Sequence, residues 1–494
     1  MKTQQLLEHH GIATNPFAEE DAQTDPVFKE HCIDSTYHPT WDKIYGDPSE
    51  PATSVVFGEK GAGKTAMRLQ IVRHLDAYNA AHPESRVYVI EYDDFNPFLD
   101  RFRAHLGSRR RADRVLAEWK LWDHMDAILA LGVTGLVDRI LETRTAQSSH
   151  DSQPIDARRL DHHQARDLLL LAACYDQSSA ETTKGRWGRL RQKLRFHTWT
   201  TWWRLALGVA VTIGLPAVIL YWDKKDWLAS IWPYLLIVAG WAPWLVRTWR
   251  RFWQARGIVR NVRIGRRETW PLRSVLMNFS NALLSGQPLP TKARTDDRYE
   301  LLAKFQGILQ TLGYRGIVVL VDRVDEPHLI NGSSDQMRAL LWPMLDNKFL
   351  KHPGIGFKLL LPIELSQFID REDRDFYQRA RLDKQNMVPS LEWTGEALYD
   401  VANARLRACA LPGQSPNLRE LFDPSISERR LMDAFRSLRV PRHLFKFLYR
   451  LFVAHCNAYT DDAPQWQVTS ERFESVLALY NRDQDAFDRG VKAG

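Results

Sequence analysis

The chain has 494 residues, with 67 Lys and Arg against 60 Asp and Glu, a formal net charge of +7 and a pI near 9.1. At roughly 100–200 residues per domain that length accommodates several domains, and a composition of 44% hydrophobic and 26% charged residues excludes global disorder. Cys32, Cys174, Cys409 and Cys456 lie far apart with no CxxC or Cys/His ligand spacing, so neither a disulfide framework nor a zinc site is supported. Residues 1–50 are mixed and polar, with turn formers at Asn15-Pro16 and Asp25-Pro26, and the N-terminus has no apolar stretch of the secretory kind.

The first informative segment is Gly58-Glu59-Lys60-Gly61-Ala62-Gly63-Lys64-Thr65, which fits G-x-x-x-x-G-K-[ST]. The glycines permit a loop whose backbone N–H groups point inward at phosphate oxygens. Lys64 supplies positive charge for the β and γ phosphates, and Thr65 offers a hydroxyl to Mg²⁺. Ser54 to Phe57 before it reads as a strand, and Ala66 to Leu75 after it has helical spacing. That order aims a helix N-terminus at the phosphates.

Arg86 to Tyr92 reads as a second strand. Asn96 to Glu142 then has helical spacing, Thr143 to Asp156 is polar enough for an exposed loop, and Ala165 to Ser178 is helical again. Lys184 to Arg204 is rich in basic residues.

Leu205 to Trp222 is 18 residues without a charge, and Trp227 to Val246 is another 20, separated by Asp223-Lys224-Lys225-Asp226. Each is just long enough to cross a bilayer, and the short loop makes them an antiparallel hairpin. Pro216, Pro233 and Pro243 are better tolerated in membrane helices than in soluble ones. Ten of the eighteen tryptophans cluster here, including Trp199, Trp202, Trp222, Trp227, Trp249 and Trp253, mostly at the ends of the runs where aromatic belts belong. Between Lys184 and Arg267 stand 17 Lys/Arg and two acids, a net of +15, so the remaining residues carry −8. Both flanks are therefore expected on the cytoplasmic side, and a general nucleic-acid binder is disfavoured.

Ile317 to Val321 is a continuous β-branched run of the buried parallel type, ending in Asp322-Arg323-Val324-Asp325-Glu326. A carboxylate at such a strand tip can hold Mg²⁺ beside the phosphate loop, which suits Asp322. Asp325 or Glu326 could polarise the attacking water. Lys64 and Asp322 are 258 residues apart, whereas a βαβ unit needs about thirty, so most of the gap is insertion. Asp335 to Phe349 reads as a helix and Phe357 to Pro362 as a further strand. Strands alternating with helices argue for an α/β fold with a covered parallel sheet.

Glu392 to Cys409, Leu431 to Leu438 and His443 to Cys456 are helical. Pro441 suits a first helical turn, so Arg442 projects from the N-terminal end of that helix; Arg374, Arg379 and Arg381 are candidates for an arginine acting on a neighbouring subunit.

The phosphate loop with Asp322-Arg323-Val324-Asp325-Glu326 resembles the AAA+/STAND group of P-loop ATPases. Gly11-Ile12-Ala13-Thr14-Asn15-Pro16-Phe17, with Asp25 and His38, is similar to the N-terminal segment of ExeA-like secretion ATPases. A transmembrane hairpin between the two acidic and phosphate-binding motifs resembles the KAP family of P-loop NTPases. The departures are Arg323, where the group carries an acid, and no polar sensor residue after Leu361. The resemblance implies ATP and Mg²⁺ as cofactors, with Gly58, Glu59, Lys60, Gly61, Ala62, Gly63, Lys64, Thr65 and Ala66 binding nucleotide. It implies Thr65 and Asp322 on the metal, and Lys64, Asp325, Glu326 and Arg442 in catalysis.

The expected organisation is a P-loop NTPase core begun in 1–95, a helical insertion at 96–196, the hairpin with its flanks at 197–253, the second core half at 254–370 and a helical lid at 371–494. The expected activity is ATP hydrolysis driving a conformational or assembly change at the cytoplasmic face of a bacterial inner membrane, with both chain ends cytoplasmic. The partners are the bilayer, through 205–246, and further copies or another protein; phage defence is one setting. The alternatives are a slowly hydrolysing signalling switch and a DNA-binding ATPase of the origin-recognition type.

Overall fold

The structure, a computed structural model, describes residues 1–107, 111–142, 155–178, 181–197, 203–222 and 230–488. The Asp223–Asp226 loop, most of the polar Thr143–Asp156 stretch, Trp199, Trp202 and Trp227 lie outside them.

The fold is α/β. Five strands, β1 Ser54–Gly58, β2 Arg86–Tyr92, β3 Tyr314–Val321, β4 Ile355–Pro362 and β5 Asn386–Val388, form one parallel sheet in the order β2-β3-β4-β1-β5. Each residue of β1 and β4 is buried, which is why both are continuous apolar runs rather than alternating ones. Val55 pairs with Leu359 on one side and Met387 on the other. β5 was not expected: three residues carry no periodicity, and its pairing depends on β1.

Most expected helices appear with shifted ends. The phosphate-loop helix spans Lys64–Ala81. The 96–142 stretch breaks into Asn96–Leu106, Ala112–Ala117 and Leu121–Leu141. The expected Asp335–Phe349 helix ends at Leu341, because Pro343 cannot continue it.

The chain forms two compact units: 1–81, 318–338 and 345–494 make the first, 82–317 and 339–344 the second. In the first, the N-terminal residues are not the loose polar segment that composition suggests. Leu6, Leu7, Ile12 and Phe17 are buried in one core with the helices Gly395–Ala408, Glu428–Leu438, Pro441–Asn457 and Ser470–Asp488. Ala13 N donates to Cys409 O at 2.7 Å and Leu411 N to Gly11 O at 2.7 Å.

In the second unit, arginines that composition assigns to a basic collar are structural. Arg186 is buried between Asp138 (2.5 Å) and Asp176 (2.7 Å). Buried Arg247 donates to the carbonyls of Met277 and Phe279, both at 2.8 Å, and buried Arg251 to Asn281 Oδ1 at 2.8 Å. Arg263 donates to Asp123, and Arg267 to Ala172 O. A guanidinium has five donors in a fixed fork, so several acceptors can satisfy it away from water.

Two helices of this unit carry the apolar runs. Trp203–Tyr221 is 19 residues, about 28 Å at 1.5 Å per residue, and among the described residues it is the one helix long and apolar enough to cross a bilayer. The second span expected at 227–246 is not met as drawn. Its helix starts at Trp232 and runs to Asn261, which leaves 232–246, about 22 Å, free of charge. The two helices pack closely: a Cβ on Gly208 would meet Trp241 at 2.8 Å, one on Gly240 would meet Val211 at 2.9 Å, and Trp241 Nε1 donates to Thr212 Oγ1 at 2.9 Å. These pairings run antiparallel. Pro216, inside the first helix, removes the amide that Thr212 O would receive.

In the first unit, Gly395 marks a tight approach: a Cβ there would lie 2.1 Å from Met432 O. Gly395→Ala should lower stability by about 1–3 kcal/mol through overpacking. Gly307→Ala, in the Asp296–Thr311 helix with nothing within 4 Å of the new Cβ, should raise it by about 0.5–1 kcal/mol. Denaturant midpoints of the two variants check the opposite signs.

Candidate functional site

The site lies in the first unit, at the carboxyl ends of β1 and β3. Open parallel sheets bind ligands there, because strand ends leave a crevice bounded by turns and helix N-termini. Gly58 ends β1 and the loop turns through Gly61 (φ +92°) and Gly63 (φ +93°), a left-handed region that favours glycine. Lys64 opens the helix and donates its Nζ to the carbonyls of Gly58 (2.7 Å) and Glu59 (3.0 Å). Burial holds the Lys64 ammonium below its usual range, opposed by Asp322, Asp325 and Glu364.

Thr65 Oγ1 donates to Asp322 Oδ2 at 3.1 Å. Asp322 is buried, with the Arg68 guanidinium 3.6 Å away. Burial pushes its carboxyl above the usual carboxylate range; Arg68, the Arg323 backbone, Thr65 and Lys64 pull against that shift. Arg323 then takes a left-handed conformation (φ 57°), so the chain turns sharply away from the sheet. Gly332 N donates to Asp325 O at 3.1 Å, closing the turn. Asp325 is half-buried. Glu326 is exposed, and its Oε1 lies 3.6 Å from Arg323 Nε. Partial burial raises the Glu326 carboxyl, against the pull of Arg323.

Arg442, in the first turn of the Pro441–Asn457 helix, closes on the loop. Its N–H points at Gly61 O at 3.4 Å, and a Cβ on Gly61 would lie 2.6 Å from Arg442 Cβ. Its Nε is buried without a hydrogen-bond partner, a donor held in reserve beside the loop. Trp393 Nε1 donates to Ala62 O at 2.9 Å from the other flank.

One cavity collects Lys60 to Ala66, Asp322, Asp325, Glu326 and Arg442; Gly58 and Glu59 contribute the carbonyls that receive Lys64. Arg374, Arg379 and Arg381 do not line it. Arg374 and Arg379 are exposed, and Arg381 pairs with Asp383.

The N-terminal segment builds the wall facing the phosphate loop, with Asp21, Asp25, Phe28, Cys32 and His38 among its lining residues. His38 Nε2 donates to Glu392 O at 3.0 Å, which leaves Nδ1 as an acceptor, 2.8 Å from Thr40 Oγ1. Burial lowers its pKa, so the ring is held neutral. Asp25 pairs with Arg405 at 2.5 Å, both buried, and Arg405 Nε donates to Pro16 O at 2.6 Å. Burial pushes the neighbouring Cys32 thiol to about 11, so it is no nucleophile. Trp393, Arg405 and Phe445 escaped the sequence reading. Nothing local signals them, since Asp25 and Arg405 meet across most of the chain.

Among the described residues no group of three or more His, Cys, Asp or Glu is arranged to hold a metal. A magnesium–nucleotide site needs only one or two carboxylates besides phosphate oxygens, so Thr65 with Asp322 fits such an ion. The positive-φ glycines and the unpartnered Arg442 Nε fit an anionic phosphate group. Comparisons with protein-family models, curated proteins and solved structures return no match.

Arg405→Met should cost about 3–5 kcal/mol, because Asp25 is left as a buried charge without its partner. The double change Asp25→Asn with Arg405→Met should recover a substantial part of that loss. Chemical denaturation of both variants measures it.

Proposed function

We propose that the chain is a membrane-held P-loop NTPase, of the KAP-like kind its motif order resembles, that binds and hydrolyses Mg-ATP. One observation carries this reading: Lys64 and Thr65 sit beside Asp322 at the sheet edge although about 260 residues of chain intervene. Such a meeting has a chemical purpose in phosphoryl transfer and little structural one, since a buried carboxylate is costly.

In this reading the backbone amides of Gly61 to Thr65 cradle phosphate oxygens, and Lys64 exchanges its loop carbonyls for them. Thr65 and Asp322 hold magnesium, which when bound neutralises charge developing on the transferred phosphoryl group. Arg442 reaches the terminal phosphate from the lid helix. Asp325 is the better-sited acid for orienting water, because it is half-buried in the cavity whereas Glu326 is more exposed and lies 3.6 Å from the Arg323 guanidinium. The Arg323 guanidinium 3.6 Å from Glu326 also favours a second reading, a switch that binds ATP and turns it over slowly.

The membrane part of the proposal rests on exposure. All but a few of the large exposed hydrophobic side chains belong to residues 203–270, Ile213, Leu220, Tyr234, Val238 and Val246 among them. Only 11% of the most apolar part of the Trp203–Tyr221 helix is buried, unlike a core helix. An apolar surface of this extent needs a cover. Aromatic residues stand at both ends, Trp203 with Trp249 and Tyr221 with Trp232, as the two bilayer interfaces would require. The antiparallel pair then inserts as one body, leaving both flanks on the cytoplasmic side.

Lys64→Ala should abolish ATP hydrolysis by the detergent-solubilised chain, while undiminished phosphate release would overturn the enzymatic reading. Glu326→Gln should leave turnover within a few-fold of the parent, whereas Asp325→Asn should lower it by about 10²-fold or more. Steady-state phosphate release separates the two.

A further inference from the structure

Resting on the membrane reading, we propose that one face of the Trp232–Asn261 helix is a binding surface for anionic phospholipid headgroups, with Arg250, Arg256 and Arg260 as its cationic contacts.

The basic residues around the apolar helices differ in burial and in their partners. Arg186, Arg247 and Arg251 are buried and bonded inside the second unit, so they cannot meet a ligand outside it. On the N-terminal flank, exposed Arg189 and Lys193 pair with Glu181 and Glu142. Arg250, Arg256 and Arg260 are exposed, and no acidic side chain lies within ion-pair distance of them among the described residues. The exposed acid nearest in sequence is Glu268.

These three arginines fall on one side of the helix. At 100° per residue, Leu235, Val238, Leu245, Val246, Trp249, Arg250, Trp253, Arg256 and Arg260 share a face, and Arg247, Arg251, Ala255 and Ile258 share the opposite, buried one. Along the exposed face the chemistry changes in order. Aliphatic side chains run to Val246, exposed Trp249 and Trp253 follow with Arg250 between them, and Arg256 and Arg260 come last. Hydrocarbon, interface and headgroup layers of a bilayer demand that order. Arg256 stacks on Trp253 at 5.8 Å, which fixes its guanidinium at the aromatic level, and Trp270 extends the aromatic rim.

A neutral zwitterionic surface would be served by the tryptophans alone. Three cations left without acids on the headgroup side add attraction specific to net negative lipid, about fivefold for each arginine, or about 1 kcal/mol. Screening by salt must weaken it, because all three are solvent-exposed.

The test uses the full chain, purified in detergent and transferred to vesicles of phosphatidylcholine alone or phosphatidylcholine with phosphatidylglycerol. Energy transfer from the protein's tryptophans to a labelled phosphatidylglycerol or a labelled phosphatidylcholine reports which lipid adjoins the helix. The expected result is enrichment of phosphatidylglycerol that falls with added salt. The triple change R250Q/R256Q/R260Q should lower the enrichment by about two orders of magnitude at low salt, and R250K/R256K/R260K should keep it. Both variants should retain the parent's ATP turnover and thermal midpoint, which rules out misfolding. Equal occupancy by both lipids, insensitivity to salt, or undiminished enrichment in the glutamine variant would overturn the headgroup site and leave the membrane anchor standing. Failure to enter either vesicle would overturn the anchor itself.

Discussion

The hydrogen bond from Thr65 to Asp322 ties the end of β1 to the end of β3, two strands that β4 separates in the sheet. The bond needs both strands to finish at the same level, and that in turn needs the β1–β4 register of Val55 on Leu359. The whole cavity hangs on this alignment. Loop entropy does not forbid so long an intervening segment, since each doubling of length costs only about 0.6 kcal/mol. Most of the second unit, residues 82–317, can therefore be carried between the two halves of a site.

That arrangement explains what could be read from residue order. The phosphate loop is legible because all its parts are contiguous: strand, glycines, lysine, hydroxyl and helix follow one another. β3 and β4 are legible because burial on both faces leaves unbroken apolar runs. β5 is not, since its three residues take their strand conformation from β1. The N-terminal wall is hidden for a related reason. Leu6, Phe17, Asp25 and His38 are single side chains spaced along irregular chain, each bound to a distant partner.

The basic residues near the apolar helices have two different roles. Composition treats every arginine near the apolar helices alike. The structure divides them: Arg186, Arg247 and Arg251 are internal ties, and Arg250, Arg256 and Arg260 face outward. Helical phase makes that division, and it became readable only once the helix was seen to continue through the basic stretch to Asn261. The same continuation moved the start of this helix to Trp232 and shortened the second apolar run.

The contact of Arg442 with Gly61 has a mechanical consequence. The loop and the Pro441–Asn457 helix share a surface where no Cβ fits and a backbone amide faces a backbone carbonyl. That helix is 17 residues long, about 25 Å, and meets the loop at its first turn. The phosphate loop is therefore joined through one helix to the core of the C-terminal region, where Leu444, Leu448, Leu451 and Cys456 are buried.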